Sequence, residues 1–162
     1  MMAFIDKVRK PVQFSLFLLW KLPSAWLSGV RVTQIQPDSC TTVVPFRWLS
    51  QNPFRSTYFA CLAMAAEMSS GLLAIAQVED VAPVRVSMLV TGMQASFMKK
   101  AKEKTWFTCR DGAAIQAAIA HTVATGEPVT ITVQSNGESK DGTLIASFAI
   151  TWSFKRAGEN QK

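Results

Sequence analysis

Apolar positions along this chain follow two rhythms, one helical and one alternating, and the change-overs fall at prolines and glycines. An apolar run at positions 12–20 reads as an amphipathic helix that ends before Pro23, because the residue before a proline disfavours the helical region. Gly29 opens a strand carrying Val30, Val32 and Ile35, and Pro37-Asp38-Ser39 is a turn signal. A second strand follows, with Thr42, Val44 and Phe46 on one face, and then a loop over 47–55 containing Asn52-Pro53-Phe54. From 56 to about 78 there is no proline and the chain is rich in Ala, Leu and Met, which predicts a long helix. That helix is apolar nearly all round, the signature of a buried element. Its one carboxylate, Glu67, shares a face with the mostly small residues Ser56, Ala60, Ala63, Met64, Ser70, Gly71 and Ala74, so something can approach that face closely. The opposite face carries Tyr58, Leu62, Leu72 and Ile75, which suit a sheet.

Past Pro83 the period becomes two. Val84, Val86, Met88 and Val90 share one parity, and beyond Gly92 the apolar parity flips to Met93, Ala95 and Phe97. A flip at a glycine predicts a bulge, which bends a strand. Residues 99–104 read as a charged hairpin, with 105–109 as the returning strand. Asp111 is placed to N-cap a short helix whose inner face is Ile115, Ala118, Ile119 and Thr122 and which Gly126 ends. Val129, Ile131 and Val133 alternate in a fifth strand, and either Asn136-Gly137 or Asp141-Gly142 turns the chain. The last strand puts Leu144, Ala146, Phe148, Ile150, Trp152 and Phe154 on one face. The predicted class is α+β: a six-stranded curved antiparallel sheet around a long central helix, with an N-terminal helix and a short helix between strands 4 and 5. This is the hot-dog architecture, expected as one domain over 1–155 with a flexible polar tail at 156–162.

Composition sharpens this. Hydrophobic residues make up 49% of the 162 and charged residues 17%, an apolar excess that a subunit interface or an acyl-binding cavity would absorb. Long strands with exposed edges point the same way, so a homodimer is expected, and a tetramer is compatible. The net charge of +6 admits nucleic acid, an anionic membrane surface or a phosphorylated ligand as partner. The cations are not massed on one helix among aromatics, which argues against nucleic acid. Lys7, Arg9 and Lys10 before the first apolar run mimic a signal peptide, but the run is too short to span a bilayer and lacks a clean cleavage site. It is expected to pack on the body of the fold. Docking on a membrane surface through Phe14, Phe17, Leu18 and Trp20 is the alternative. Cys40, Cys61 and Cys109 have no metal-ligand spacing and read as buried thiols in a reducing cytoplasm. No metal and no cofactor is expected.

The stretches Trp20-Lys21-Leu22-Pro23-Ser24-Ala25, Gly29-Val30-Arg31-Val32, Pro45-Phe46-Arg47, Gln51-Asn52-Pro53-Phe54, Tyr58-Phe59-Ala60, Ala65-Ala66-Glu67 and Trp152-Ser153-Phe154-Lys155 resemble a bacterial family of thioesterase-like hot-dog proteins catalogued as a domain of unknown function. The resemblance runs from about Phe14 to Lys155. The wider superfamily includes acyl-CoA thioesterases that carry an Asn, a His-Gly-Gly turn at the start of the central helix and an acidic residue a few positions later. Read onto this chain, the resemblance implies that Glu67 is the acid and Asn52 the loop Asn. Tyr58-Phe59-Ala60 takes the region of the glycine turn.

Glu67 is thus the candidate catalytic residue. Burial raises a carboxylate's pKa toward the range useful for a general base, here one that activates water to cleave an acyl-CoA or other acyl thioester. An ion pair with Arg31, Arg47 or Arg85 is the structural alternative. Asn52, Tyr58, Phe59 and Ala60 are candidate substrate contacts, helped by free amides at the helix start. Asn52 could equally hold its own loop. His121, the sole histidine, lies off the apolar face of its helix beside no evident nucleophile, and Cys61 reads as core. Lys99, Lys100, Lys102 and Lys104 could attract CoA phosphates or simply be solvated. The competing function class is a non-catalytic acyl- or CoA-binding or assembly protein on the same fold.

Overall fold

The computed structural model describes residues 1–157. The long helix forms where the Ala-Leu-Met run predicts it, as α4 (Phe59–Asp80), starting three residues later than expected because Tyr58 is extended. Before it come α1 (Met2–Val8), α2 (Pro11–Lys21), α3 (Pro23–Ser28), β1 (Arg31–Ile35), β2 (Cys40–Val44) and a 3-10 turn at Trp48–Ser50. After it come β3 (Val86–Phe97), β4 (Thr105–Cys109), α5 (Gly112–Thr125), β5 (Val129–Glu138) and β6 (Leu144–Arg156). The six strands form one antiparallel sheet in the order β1-β2-β4-β5-β6-β3, curved round α4 in the hot-dog arrangement.

The alternating pattern of β6 seats as read, while Met93, Ala95 and Phe97 of β3 are exposed because β3 is an edge strand. Ala146, Phe148, Ile150, Trp152 and Phe154 of β6 are buried, while Leu144 at the strand's start is not. On α5, Ile115, Ala118, Ile119 and Thr122 face inward, packing on α4 and on β5 and β6. The parity flip at Gly92 is a break in register: Val90 pairs with Trp152 and Gly92 with Thr151, so Thr91 is the extra residue of a bulge, its Oγ1 donating to the Thr151 carbonyl.

Five expectations change, and the open choice of turn before the last strand is decided. The N-terminal helix is three helices, and Pro23 starts α3 at its first position, where the missing N–H costs nothing. The 99–104 segment is not a hairpin: β3 pairs with β6 at the far edge of the sheet, and β4 pairs with β2 and β5, so these residues cross over between two distant strands. Asp111 precedes α5 but makes no side-chain cap; its carboxylate accepts the Gln134 N–H at 2.7 Å instead. Asn136-Gly137 lies inside β5, where a Cβ on Gly137 would sit 2.4 Å from the Phe107 ring, and the chain turns at Asp141-Gly142, with Gly142 at φ +82. The small-residue face of α4 is not left open to a ligand throughout, because Trp152 of β6 covers it at Ser70 and Gly71. Arg156, expected in the tail, is in β6 paired with Val86; residues 158–162 lie outside the described part.

α4 is long and apolar enough to cross a bilayer, but two-thirds of its most apolar window is buried inside the fold, the setting of a core helix. Thr42 Oγ1 donates to the Ala65 carbonyl at 2.7 Å and Ser69 Oγ lies 2.8 Å from Ser135 Oγ. Polar groups on the helix are thereby stitched to β2 and β5.

Candidate functional site

Two places on α4 carry the chemistry singled out from the sequence. The first is its N-terminal end. Asn52 Oδ1 accepts the Phe54 and Ser56 N–H groups at 3.0 and 3.2 Å, and the Asn52 N–H donates to the Ser56 carbonyl at 2.9 Å. Asn52 therefore shapes the loop that enters the helix, and its carbonyl oxygen is committed there. The Tyr58 N–H donates to the Ser50 carbonyl and the Thr57 N–H to the Ala101 carbonyl, at 2.7 and 2.8 Å. That second bond ties the start of α4 to the crossover after β3. Between the two runs a cleft of about 550 Å³, lined by Asn52, Phe54, Tyr58, Phe59, Leu62, Phe97, Met98, Lys99 and Lys100 among others. Tyr58 and Phe59 stand edge to face, 4.9 Å between ring centroids, with both rings exposed at its wall.

The N–H groups of Phe59 and Ala60 in the first turn of α4 meet no acceptor among the described residues. Such amides, at the positive end of a 22-residue helix, suit a carbonyl oxygen or a phosphate. The cleft thus joins three of the predicted substrate contacts, Asn52, Tyr58 and Phe59, to two of the predicted cations. Ala60 is half-buried behind them and does not line it. Phe97 and Met98 are walls that sequence reasoning missed; the signal was a pair of large apolar residues immediately before Lys99-Lys100.

The second place is Glu67, two turns along, about 12 Å from Phe59 at 1.5 Å per residue. It is not part of the cleft. Its side chain is half-buried and lies over Gly71, where an added Cβ would come within 3.1 Å of Glu67 Oε1 and 3.4 Å of the Trp152 ring. Trp152 is held by its Nε1–H donating to Ser70 Oγ at 3.0 Å. The Glu67 carboxylate has no hydrogen bond or ion pair among the described residues, whose two salt bridges are Met1–Asp80 and Arg9–Asp6. Arg31 is instead bound to the Trp26 and Val30 carbonyls and stacked on the Trp26 ring, and Arg47 to the Leu27 carbonyl. Burial pushes the Glu67 carboxyl above the ordinary glutamate range.

The other reactive side chains are set aside. Burial lifts the Cys40 thiol to about 12 and the Cys109 thiol to about 11, which removes the thiolate a nucleophile needs. Cys61 is buried with its Sγ 3.6 Å from Ser28 Oγ. His121 is exposed on α5. Among the described residues no three His, Cys, Asp or Glu side chains gather as a metal site would require.

Residues 11–154 match the family described as Domain of unknown function (DUF4442). The chain belongs to this family. Among curated proteins none matches the sequence. Solved structures share the fold. A Pseudomonas aeruginosa protein of unknown function, described as a probable thioesterase, is 19% identical with a TM-score of 0.77, over 91% of this chain and 97% of that one. A Haemophilus influenzae thioesterase is 10% identical with a TM-score of 0.67, over 94% and 95%. A second P. aeruginosa thioesterase, solved as a mutant, is 12% identical with a TM-score of 0.65, over 90% and 94%. This DUF4442 chain therefore has a thioesterase-like hot-dog fold.

Proposed function

We propose that the protein hydrolyses acyl thioesters, acyl-CoA foremost, with Glu67 as the general base. The observation that carries this reading is the half-buried carboxylate on the central helix, with no ion pair among the described residues and a raised pKa. A carboxylate kept at that cost, with Gly71 beside it on the same face, is poised to take a proton from water. The water oxygen then bonds to the thioester carbonyl carbon, the C–S bond breaks, and the thiolate leaves to collect a proton. The products are a carboxylic acid and a free thiol. Neighbouring structures described as thioesterases support the class of reaction, and the cleft supports the substrate. Its aromatic walls suit an apolar acyl or pantetheine chain, and Lys99 and Lys100 suit phosphate.

One carbonyl cannot touch both Glu67 and the first turn of α4 in a single chain, because about 12 Å of helix separates them. We therefore assign the two parts to different copies of a homodimer. β3 is an edge strand, and past the bulge its Met93 and Phe97, on the face that continues Val86, Met88 and Val90, are exposed; Phe97 also lines the cleft. Pairing along that edge would cover Met93 and Phe97 and wall the cleft's open side.

The test is release of free thiol from a panel of acyl-CoA substrates, followed beside light scattering. The expected result is hydrolysis by a dimer, lost together with dimerisation in Met93→Lys. A monomer with full activity would refute the shared site. A dimer inactive on every thioester, yet retaining acyl-CoA in the cleft, would favour the non-catalytic binding protein. The departure at Tyr58-Phe59-Ala60 from the superfamily's glycine turn is the specific reason to keep that second reading.

A further inference from the structure

The outer face of α2 is apolar and uncovered. At 100° per residue, Val12, Leu16, Leu19 and Trp20 fall within about 100° of arc, and all are exposed, Trp20 at 82%. The side that packs inward is Phe14 and Leu18, so of the four residues expected to touch a membrane, two belong to the core. Exposed apolar side chains recur on the elements packed next to α2. α2 packs on α3, and α3 on the 3-10 turn, with Arg47 bonded to the Leu27 carbonyl at the junction. Leu27, Leu49 and Trp48 are exposed there, Trp48 at 79%. An uncovered apolar helix face of this kind, with a second exposed tryptophan on a nearby element, marks something that covers it.

Charge says what covers it. Residues 7–37 contain Lys7, Arg9, Lys10, Lys21 and Arg31 and not one carboxylate. Residues 39–66 add Arg47 and Arg55, again with no acid. Through residue 66 seven cations face two carboxylates, Asp6 and Asp38, a net +5; residues 67–162 carry ten against nine, a net +1. The protein's positive charge is thus concentrated in the part that exposes the apolar face. Lys10 and Lys21, both exposed, bracket α2 at its two ends. Tryptophan and leucine on one face, lysine at its borders and no acid are the make-up of a helix that lies in the headgroup layer of an anionic bilayer.

We propose that α2, Leu27 and the Trp48-Leu49 turn dock this protein on the surface of an anionic lipid bilayer. Docking stands independently of the hydrolase reading. The loop that forms the turn runs on through Asn52 to the start of α4 and one wall of the cleft, so if the cleft takes an acyl chain its mouth lies beside the membrane.

The test uses the full chain with vesicles of phosphatidylcholine alone or mixed with phosphatidylglycerol. Binding is read by co-sedimentation, and by quenching of tryptophan emission with lipids brominated on the acyl chains. The expected result is binding to the anionic vesicles with quenching, weakened by added salt. Leu16→Glu/Trp20→Glu should weaken it on the order of 100-fold by placing charge in the buried face. Lys140→Glu, which changes net charge by the same amount at the exposed β5–β6 turn, should leave it within about twofold, by screening of distant charges. Trp48→Glu, on a separate element, should weaken it about tenfold. No binding by the wild type, unchanged binding by the double variant, or equal loss in Lys140→Glu would each overturn the proposal. So would a double variant that alters only the oligomeric state, which would assign the face to a second copy of the chain.

Discussion

Within four residues of one helix, three polar side chains are treated in opposite ways. Ser69 and Ser70 are fully buried and fully partnered: Ser69 Oγ donates to the Ala66 carbonyl and meets Ser135, and Ser70 Oγ donates to the Glu67 carbonyl and accepts from Trp152. Glu67, next to them and far costlier to bury, has no partner among the described residues. The serines do what buried polar groups do in a stable core, which is to satisfy one another. A half-buried carboxylate without a partner weakens a fold unless it is protonated or used. The serines hold the structure together, while the carboxylate adds no bond among the described residues, and this is the contrast on which its proposed role as base rests.

The largest expected effect breaks the comparison on the Glu67 side. Glu67→Gln should lower the hydrolysis rate on the order of 100-fold, as for removal of a positioned proton acceptor. It should leave thermal stability within about 1 kcal/mol, because no cation is stranded; a buried ion pair would instead cost about 3 kcal/mol. On the serine side the signs reverse. Trp152→Phe removes a buried hydrogen bond and should cost about 1–3 kcal/mol in denaturant melts, with the rate changing only as far as Glu67 shifts. Gly71→Ala sharpens the boundary between the two. The added methyl would crowd Glu67 Oε1 at 3.1 Å and should cut the rate by about tenfold through misplacement. Stability should stay near the wild type, since alanine's better helix propensity, worth up to about 1 kcal/mol, offsets the contact.

The smallest effect is on stability against pH. A carboxyl whose folded pKa is raised binds more protons folded than unfolded. Its contribution is therefore greatest below the ordinary glutamate range and is lost as pH rises through that range to the raised value. Wild type should lose stability relative to Glu67→Gln across that window and run parallel to it above. Equal slopes throughout would show that burial does not perturb the carboxyl.

How much of this was legible in the sequence depended on the range of the interaction. The bulge at Gly92 shows as a local change of parity, and α4 shows as a proline-free run of strong helix formers. Which strand neighbours which is not local. A cluster of lysines at 99–104 looks the same at a hairpin tip as on a crossover, and β3's partner, β6, lies some fifty residues further on. Glu67 stood out because it is the one carboxylate in the body of an apolar helix. That it lies under Trp152 and apart from the cleft depends on β6, so spacing along the helix could not show it. The cleft lies where Thr57 reaches Ala101 across 44 residues, a contact that local spacing does not show. Asn52 was visible as a candidate, but its bonds to Phe54 and Ser56 were equally implied by its place before a proline.

The most direct measurement is the pH dependence of kcat/KM on an acyl-CoA substrate, run in parallel on wild type and Glu67→Gln. If Glu67 is the base, the wild-type rate rises with pH through a single ionisation above the ordinary glutamate range, set there by burial, and the residual rate of Glu67→Gln lacks that step. The same inflection in both proteins, or a Glu67→Gln enzyme with full activity, would contradict the account.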